Sequence, residues 1–144
     1  DPADSRRVVL CSGKVYFDLL KARRERDIAD IAILRIEQLY PFPRKTLKRM
    51  LEQYSKASEV VWCQEEPRNQ GAWYQVQHHL RVSKTPAMTL GYAGRAPSAS
   101  PACGNARLHA LQQQNLVNRA LSAEPVDDPG ERLEDTEMHW QSPF

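Results

Sequence analysis

The sequence predicts an α/β fold, a three-layer α/β/α domain built around a mostly parallel sheet. Short apolar runs rich in β-branched residues alternate with amphipathic segments along most of the chain. Parallel neighbours need a crossover connection, usually a helix, so this alternation favours a parallel sheet with helices on both faces. The 144 residues, of which 41% are hydrophobic, are enough for one compact core. We therefore expect one folded domain over residues 6–121.

Four apolar runs predict the strands, because each is short and bounded by Gly, Pro or polar residues. The segments that follow them place apolar side chains at helical spacing and charged ones on the opposite face. The predicted strands are RRVVLCSG (6–13), IADIAILRIEQLYP (28–41), EVVWCQEEP (59–67) and AMTLGYAG (87–94). The predicted helices are KVYFDLLKARRERD (14–27), RKTLKRMLEQYS (44–55), GAWYQVQHHLRV (71–82) and NARLHALQQQNLVNRAL (105–121). A proline precedes the second helix, and Asn105 is suited to be the N-cap of the last one.

The end of the chain differs in charge and pattern from the rest. Residues 1–122 carry 19 Lys and Arg against 11 Asp and Glu, whereas residues 123–144 carry one against seven. The acidic stretch has no sustained apolar period and is interrupted by prolines and a glycine. We expect residues 122–144 to form an acidic, extended or disordered tail.

The candidate binding site lies where the predicted strands end, because ligands of parallel α/β sheets bind at the carboxyl ends of the strands. One strand-end loop carries Arg68, and another carries Arg95, Ser98 and Ser100. Two guanidinium groups beside the N-terminus of the last helix suit a phosphate, since Arg forms bidentate hydrogen bonds and helix N-termini attract anions. An equally open interpretation is that these residues satisfy the loop backbone or form an interdomain salt bridge.

Other residues that often carry chemistry occur here in contexts typical of structure. Cys63 lies in an apolar strand, where a buried, inert thiol is the common case. His78 and His79 are adjacent, so they diverge on a helix and lack the i, i+4 spacing of metal ligands. Glu65 and Glu66 face opposite sides of a strand, and one of them is expected to contact a subunit or cap the next helix. We expect no catalytic, cofactor-binding or metal site in this chain.

Composition also argues against two kinds of partner. The sequence contains no long uninterrupted apolar run of the length that a membrane span needs. The basic segment KARRERD lacks interleaved aromatic residues and is typical of a solvated helix face rather than a nucleic-acid surface. Three cysteines without a CxxC pair favour free thiols in a reducing compartment.

Five stretches together resemble one known family. RRVVLCSGKVYFDLL, RIEQLYPFP, WCQEEPRNQGAWY, YAGRAPSASPACG and QQQNLVNRAL follow one another between residues 6 and 121. They are similar to the C-terminal domain of the thiamine-dependent decarboxylating component of 2-oxoglutarate dehydrogenase (oxoglutarate dehydrogenase, succinyl-transferring). The resemblance implies the fold of the transketolase C-terminal domain, whose sheet usually has five strands, one of them antiparallel.

The function that this resemblance implies belongs to a longer parent enzyme of the tricarboxylic acid cycle. That enzyme is a homodimer that uses thiamine diphosphate and magnesium to decarboxylate 2-oxoglutarate, and it passes the succinyl group to a dihydrolipoyl succinyltransferase. The Gly-Asp-Gly motif of thiamine enzymes does not occur in these 144 residues, so the chain alone is not expected to perform the reaction.

For the domain itself, the resemblance implies a role in dimer assembly, contacts with the remaining domains of the enzyme, and binding of acetyl-CoA or an adenine nucleotide. It places the enzyme in the cytoplasm of a bacterium, which is favoured, or in the mitochondrial matrix of a eukaryote. A different class of function is also open, a free-standing, non-enzymatic module that binds a nucleotide or a protein at the same edge. A piece of a dimer is expected to expose an apolar patch and self-associate, whereas an evolved module stays monodisperse.

Overall fold

A four-stranded parallel sheet with helices on both faces forms the body of the protein. The computed structural model describes residues 1–99 and 104–130. In these residues the strands are β1 (Arg7–Cys11), β2 (Ile31–Arg35), β3 (Glu59–Pro67) and β4 (Thr89–Arg95), arranged in the order β2-β1-β3-β4. The helices are α1 (Val15–Glu25), α2 (Arg44–Leu51), α3 (Trp73–Ser83) and α4 (Ala106–Ala120), after a 3-10 turn at Pro2–Asp4. The predicted three-layer α/β/α fold is confirmed.

The sheet separates two apolar cores, because side chains alternate between the two faces of a strand. Val8 and Trp62 belong to the core beneath α2 and α3. Val9 and Cys63 belong to the core beneath α1 and α4. The central strands β1 and β3 are therefore buried on both faces, which is why their sequences are continuously apolar.

The predicted elements agree with the structure in number and order, and differ at their ends. All four predicted strands and all four predicted helices are present among the described residues. Asn105 caps α4 as predicted, because its Oδ1 accepts hydrogen bonds from the N–H groups of Arg107 and Leu108 at 2.9 and 3.2 Å. The second strand is shorter than predicted, because β2 is an edge strand and leaves the sheet after Arg35. The antiparallel fifth strand of the family is not among the described residues. Within those residues, no helix has the length and apolar character that crossing a bilayer requires.

The stretch 122–130, here called the C-terminal strap, contains no helix or strand and packs against the sheet. Val126 is only 5% exposed and covers Gly91, where an added Cβ would lie 2.5 Å from the Val126 carbonyl oxygen. The Tyr92 N–H donates to the Asp127 carbonyl at 3.0 Å, so the C-terminal strap follows the outer edge of β4. Residues 131–144 of the predicted tail lie outside the described residues.

A buried arginine joins the C-terminal strap to the start of the sheet. Arg7 is 0% exposed and forms an ion pair with Glu59 at 2.9 Å. It also donates to the carbonyl oxygens of Ala120, Ser122 and Glu124 at 3.1, 2.8 and 2.6 Å. The last carbonyls of a helix lack intrahelical partners and carry partial negative charge, so a guanidinium group there satisfies them. Burial lowers the pKa of Arg7 while Glu59 opposes that shift, and arginine stays charged.

Candidate anion-binding cleft

A cleft of about 340 Å³ opens at the carboxyl end of β4. Three arginines line it, Arg68 after β3, Arg95 at the end of β4 and Arg119 on α4. Asp127 of the C-terminal strap lines the same space. The remaining lining residues are Tyr92, Gly94, Ala96, Pro97 and Pro129. We call this space the strand-end cleft, and its walls come from four separate parts of the chain.

The ends of β3 and β4 are fastened to each other beneath the strand-end cleft. The Arg68 N–H donates to the Arg95 carbonyl at 3.1 Å, and the Tyr92 hydroxyl donates to the same oxygen at 3.0 Å. A Cβ at Gly94 would lie 2.4 Å from the Tyr92 hydroxyl, so only glycine fits this close approach. Burial raises the pKa of Tyr92 well above its ordinary value, and the hydroxyl therefore stays a hydrogen-bond donor at neutral pH. Two of the three arginines are thus held on a rigid base.

Asn69 joins the two strand-end loops. Its Nδ2 donates to the Ser98 carbonyl at 2.9 Å, and its Oδ1 accepts from the Ser98 N–H at 2.9 Å. Gln70 Nε2 adds a third bond to the Ser98 carbonyl at 2.6 Å. The Ser98 backbone therefore holds the two loops together.

Gln64 holds the end of β3 against the start of α3. Its Oε1 accepts from Trp62 Nε1 at 3.0 Å and from the Trp73 N–H at 2.9 Å. Its Nε2 donates to the carbonyls of Glu66 and Pro67 at 3.2 and 3.0 Å. All four hydrogen-bonding positions of this buried amide are occupied, and the main chain leading to Arg68 is fixed as a result.

The structure brings together only part of the predicted site. Arg68 and Arg95 line the strand-end cleft as their positions in the sequence suggest, whereas Ser98 is not among the lining residues. Ser100 lies outside the described residues. Sequence reasoning missed Arg119, because a polar residue near the end of an amphipathic helix is usually solvated. It also missed Asp127, because the acidic stretch was expected to leave the domain.

The charge of the strand-end cleft is mixed. Among the described residues that line it are three arginines and one acidic residue, Asp127, whose Oδ2 lies 3.9 Å from Arg119 Nη2. The Asp127 side chain is 93% exposed, so water screens much of this ion pair. Guanidinium groups bind phosphate and carboxylate ligands through charge-assisted hydrogen bonds.

The two described cysteines are structural. Cys11 and Cys63 are fully buried and unpaired in disulfides, as expected for inert thiols. Burial raises the pKa of Cys11 to about 12 and raises that of Cys63 still further. A thiol is nucleophilic only as thiolate, so neither group can act as a nucleophile at neutral pH. Cys103 lies outside the described residues.

His79 forms a surface contact between α2 and α3 rather than a metal site. Its ring stacks on Phe42 with centroids 4.6 Å apart, and its Nδ1 lies 2.8 Å from Arg44 Nη2. Partial burial, His78 and Arg44 all lower the pKa of His79 below its ordinary value of 6.5. Among the described residues, no group of three potential metal ligands occurs.

The acidic pair after Cys63 has a different role from the expected helix cap. Glu65 accepts from Gln113 Nε2 of α4 at 2.7 Å, and the start of α3 is bonded by Gln64 instead. A glutamine amide both donates and accepts hydrogen bonds, whereas an ionised carboxylate only accepts them. Neither glutamate therefore caps α3, and the other alternative, contact with a subunit, stays a prediction.

The strand order and the two helical layers define a three-layer α/β/α domain with the transketolase-like fold. A solved structure described as an inactive β4 tetramer of a split-gene transketolase superposes with a TM-score of 0.56, covering 83% of this chain and 40% of that one. The two sequences are 15% identical, so this likeness shows the fold alone.

The chain belongs to the 2-oxoglutarate dehydrogenase C-terminal family, which matches residues 1–121. The 2-oxoglutarate dehydrogenase E1 component of Haemophilus influenzae is 55% identical over 122 residues, covering 85% of this chain and 13% of that protein. The E1 component of Cupriavidus necator is 51% identical over 117 residues, covering 81% of this chain and 12% of that protein. The chain therefore spans about an eighth of the length of these bacterial relatives. The C-terminal strap lies beyond the residues that this family matches.

Proposed function

We propose that this chain works as the C-terminal domain of a 2-oxoglutarate dehydrogenase E1 component, where it contributes to assembly of the enzyme and binds an anionic effector. The main support is the family match over residues 1–121, which includes every helix and strand of the sheet. The three arginines at the strand ends support the effector role. The bacterial relatives support a cytoplasmic location.

In this proposal the reaction takes place in parts of the enzyme other than these residues. The parent enzyme decarboxylates 2-oxoglutarate with thiamine diphosphate and magnesium, and transfers the succinyl group to a dihydrolipoyl succinyltransferase. The proposal assigns none of the described residues to the thiamine diphosphate or magnesium site, and it gives the domain a part in assembly and regulation.

The strand-end cleft fits a ligand with more than one phosphate. Arg68, Arg95 and Arg119 come from three different elements and can contact separate phosphate groups, each through paired N–H donors. Acetyl-CoA and adenine nucleotides both carry such groups, and both are our candidates for the effector. Ser98 and Ser100 stay in the proposal as loop residues that follow Arg95.

The assembly role is supported by the first turns of α4. Leu108 and Leu111 are 46% and 53% exposed on a helical segment that the other described residues do not cover. A short helical segment has only marginal stability in water when nothing packs against it. Leucines at positions i and i+3 lie on the same side of a helix, so Leu108 and Leu111 form one exposed apolar stripe. We propose that the rest of the E1 dimer covers this stripe.

Calorimetric titration of the 144-residue chain with acetyl-CoA and with ADP tests the effector role. We expect Arg95→Ala to weaken binding about tenfold or more, since it removes one charge-assisted contact. The matched control is Arg49→Ala on the exposed surface of α2, which should bind like the original chain. Equal affinity for Arg95→Ala and the original chain would remove the strand-end cleft from the proposal.

A domain exchange tests membership in the enzyme. Residues 1–121 would replace the matching region of the Haemophilus influenzae E1 component, and dehydrogenase activity and oligomeric mass would be measured. We expect the exchanged enzyme to assemble and to be active, and the same enzyme with Leu108→Gln and Leu111→Gln to lose assembly. A monomeric or inactive exchange product, together with a folded isolated chain, would favour a free-standing binding module instead.

A further inference from the structure

We propose that the C-terminal strap is an autoinhibitory element, in which Asp127 competes with the anionic ligand for the arginines of the strand-end cleft. This inference rests on the proposed effector role of that cleft. It assigns a regulatory function to the C-terminal strap, which lies beyond the residues that the family matches.

The C-terminal strap is anchored independently of the strand-end cleft. Arg81 donates to both carboxylate oxygens of Asp128, at 2.5 and 3.0 Å. The guanidinium of Arg7 holds the Glu124 carbonyl at 2.6 Å, and Val126 is buried over Gly91. These contacts lie before and after Asp127 in the sequence, so the position of its backbone is fixed by groups that no ligand has to displace.

The Asp127 side chain is placed differently from its neighbours. Its carbonyl accepts from the Tyr92 N–H at 3.0 Å, which directs the residue towards the end of β4. Its carboxylate lines the strand-end cleft, 3.9 Å from Arg119 Nη2, and is 93% exposed. A carboxylate that is anchored through its backbone but exposed at its tip can be displaced from an arginine without unfolding of the C-terminal strap.

The expected effect on ligand binding follows from Coulomb's law. One negative charge at about 6 Å from a multiply charged phosphate in a water-filled cleft weakens binding about fivefold at low ionic strength. The ligand also has to take the place of Asp127 beside Arg119. Asp127 therefore raises the ligand concentration that is needed to occupy the strand-end cleft.

The test is calorimetric titration of inorganic pyrophosphate into the full 144-residue chain at low salt. We expect Asp127→Asn to bind about fivefold more tightly than the original chain, with the difference shrinking as salt is added. The matched control is Glu124→Gln, which removes one charge from the same C-terminal strap while keeping the carbonyl that Arg7 binds. This variant should bind like the original chain. Thermal unfolding of each variant checks that the fold is retained.

The outcomes separate this inference from the proposed function. Equal pyrophosphate affinity for Asp127→Asn and the original chain, with weaker binding by Arg95→Ala, would overturn autoinhibition and leave the strand-end cleft in place. Equal tightening by Asp127→Asn and Glu124→Gln would also overturn it, because the effect would then come from net charge alone. Affinity that does not change in Arg95→Ala would overturn the proposed site itself.

Discussion

Replacing Arg7 by Met tests whether one buried guanidinium group holds the C-terminal strap to the sheet. The substitution keeps an apolar stem of similar length and removes the charge, so the loss should come from the polar contacts. Glu59 would be left largely buried without its partner at 2.9 Å. The carbonyls of Ala120, Ser122 and Glu124 would each lose a donor.

The expected cost is about 3–5 kcal/mol, because breaking a buried ion pair leaves an uncompensated charge. The individual hydrogen bonds are not added to this figure, since a domain of this size has only about 5–15 kcal/mol of stability in total. Urea unfolding followed by the fluorescence of the buried Trp62 and Trp73 measures the change. With a slope of about 1.5 kcal/mol per molar urea, the midpoint should fall by about 2–3 M.

Two control variants make this result interpretable. Arg6→Met removes the neighbouring arginine, whose ion pair with Asp30 is partly exposed, and should cost less than about 1 kcal/mol. Arg7→Met combined with Glu59→Gln should be less destabilising than Arg7→Met alone, because no buried charge is left unpaired. A loss below about 1 kcal/mol in Arg7→Met would refute the role given to this group.

Three further predictions concern other parts of the fold. Gly71→Ala should destabilise the domain by about 1–3 kcal/mol in thermal unfolding, because the new Cβ would lie 2.5 Å from the side-chain amide nitrogen of the fully bonded Gln64. An unchanged unfolding temperature would contradict this packing. Cys63 should resist alkylation in the folded chain and react only on unfolding, as mass spectrometry of its peptide can show; rapid labelling in native buffer would contradict its burial. The pKa of His79 is lowered below 6.5 in the folded chain, so the unfolded chain binds more protons than the folded chain as the pH falls. The free energy of unfolding should therefore decrease as the pH drops through 6.5 towards the lower pKa of the folded chain. His79→Gln should reduce that loss in urea midpoints measured at pH 7.5 and 5.5, whereas an unchanged pH dependence would show that the ring does not contribute.

The sheet could be predicted because its signals are local. The apolar runs of β1 and β3, and the N-cap at Asn105, each depend on a few neighbouring residues. Arg68 and Arg95 could be predicted as site residues for the same reason, since each directly follows or ends a strand. What the sequence could not show is which strand-end residues share one space, because that depends on the register between β3 and β4.

The C-terminal strap could not be predicted because its contacts are distant in sequence. Arg7 reaches the Ala120 carbonyl across 113 positions, and backbone carbonyls leave no mark on composition. One apolar side chain, Val126, is too little to produce a periodic pattern. Arg119 and Asp127, which also line the strand-end cleft, were missed for the same reason.

The measurement that most directly tests the central claim is an amide NMR titration of the 144-residue chain with acetyl-CoA. Ligand binding at the strand-end cleft predicts that the largest shifts occur at Gly94, Ala96 and Arg119, with smaller shifts at Asp127. Shifts of that kind that disappear in Arg95→Ala would support the account. If a saturating ligand concentration produces its largest amide shifts on α2 and α3, or produces no shifts, the proposed binding at the strand-end cleft is contradicted.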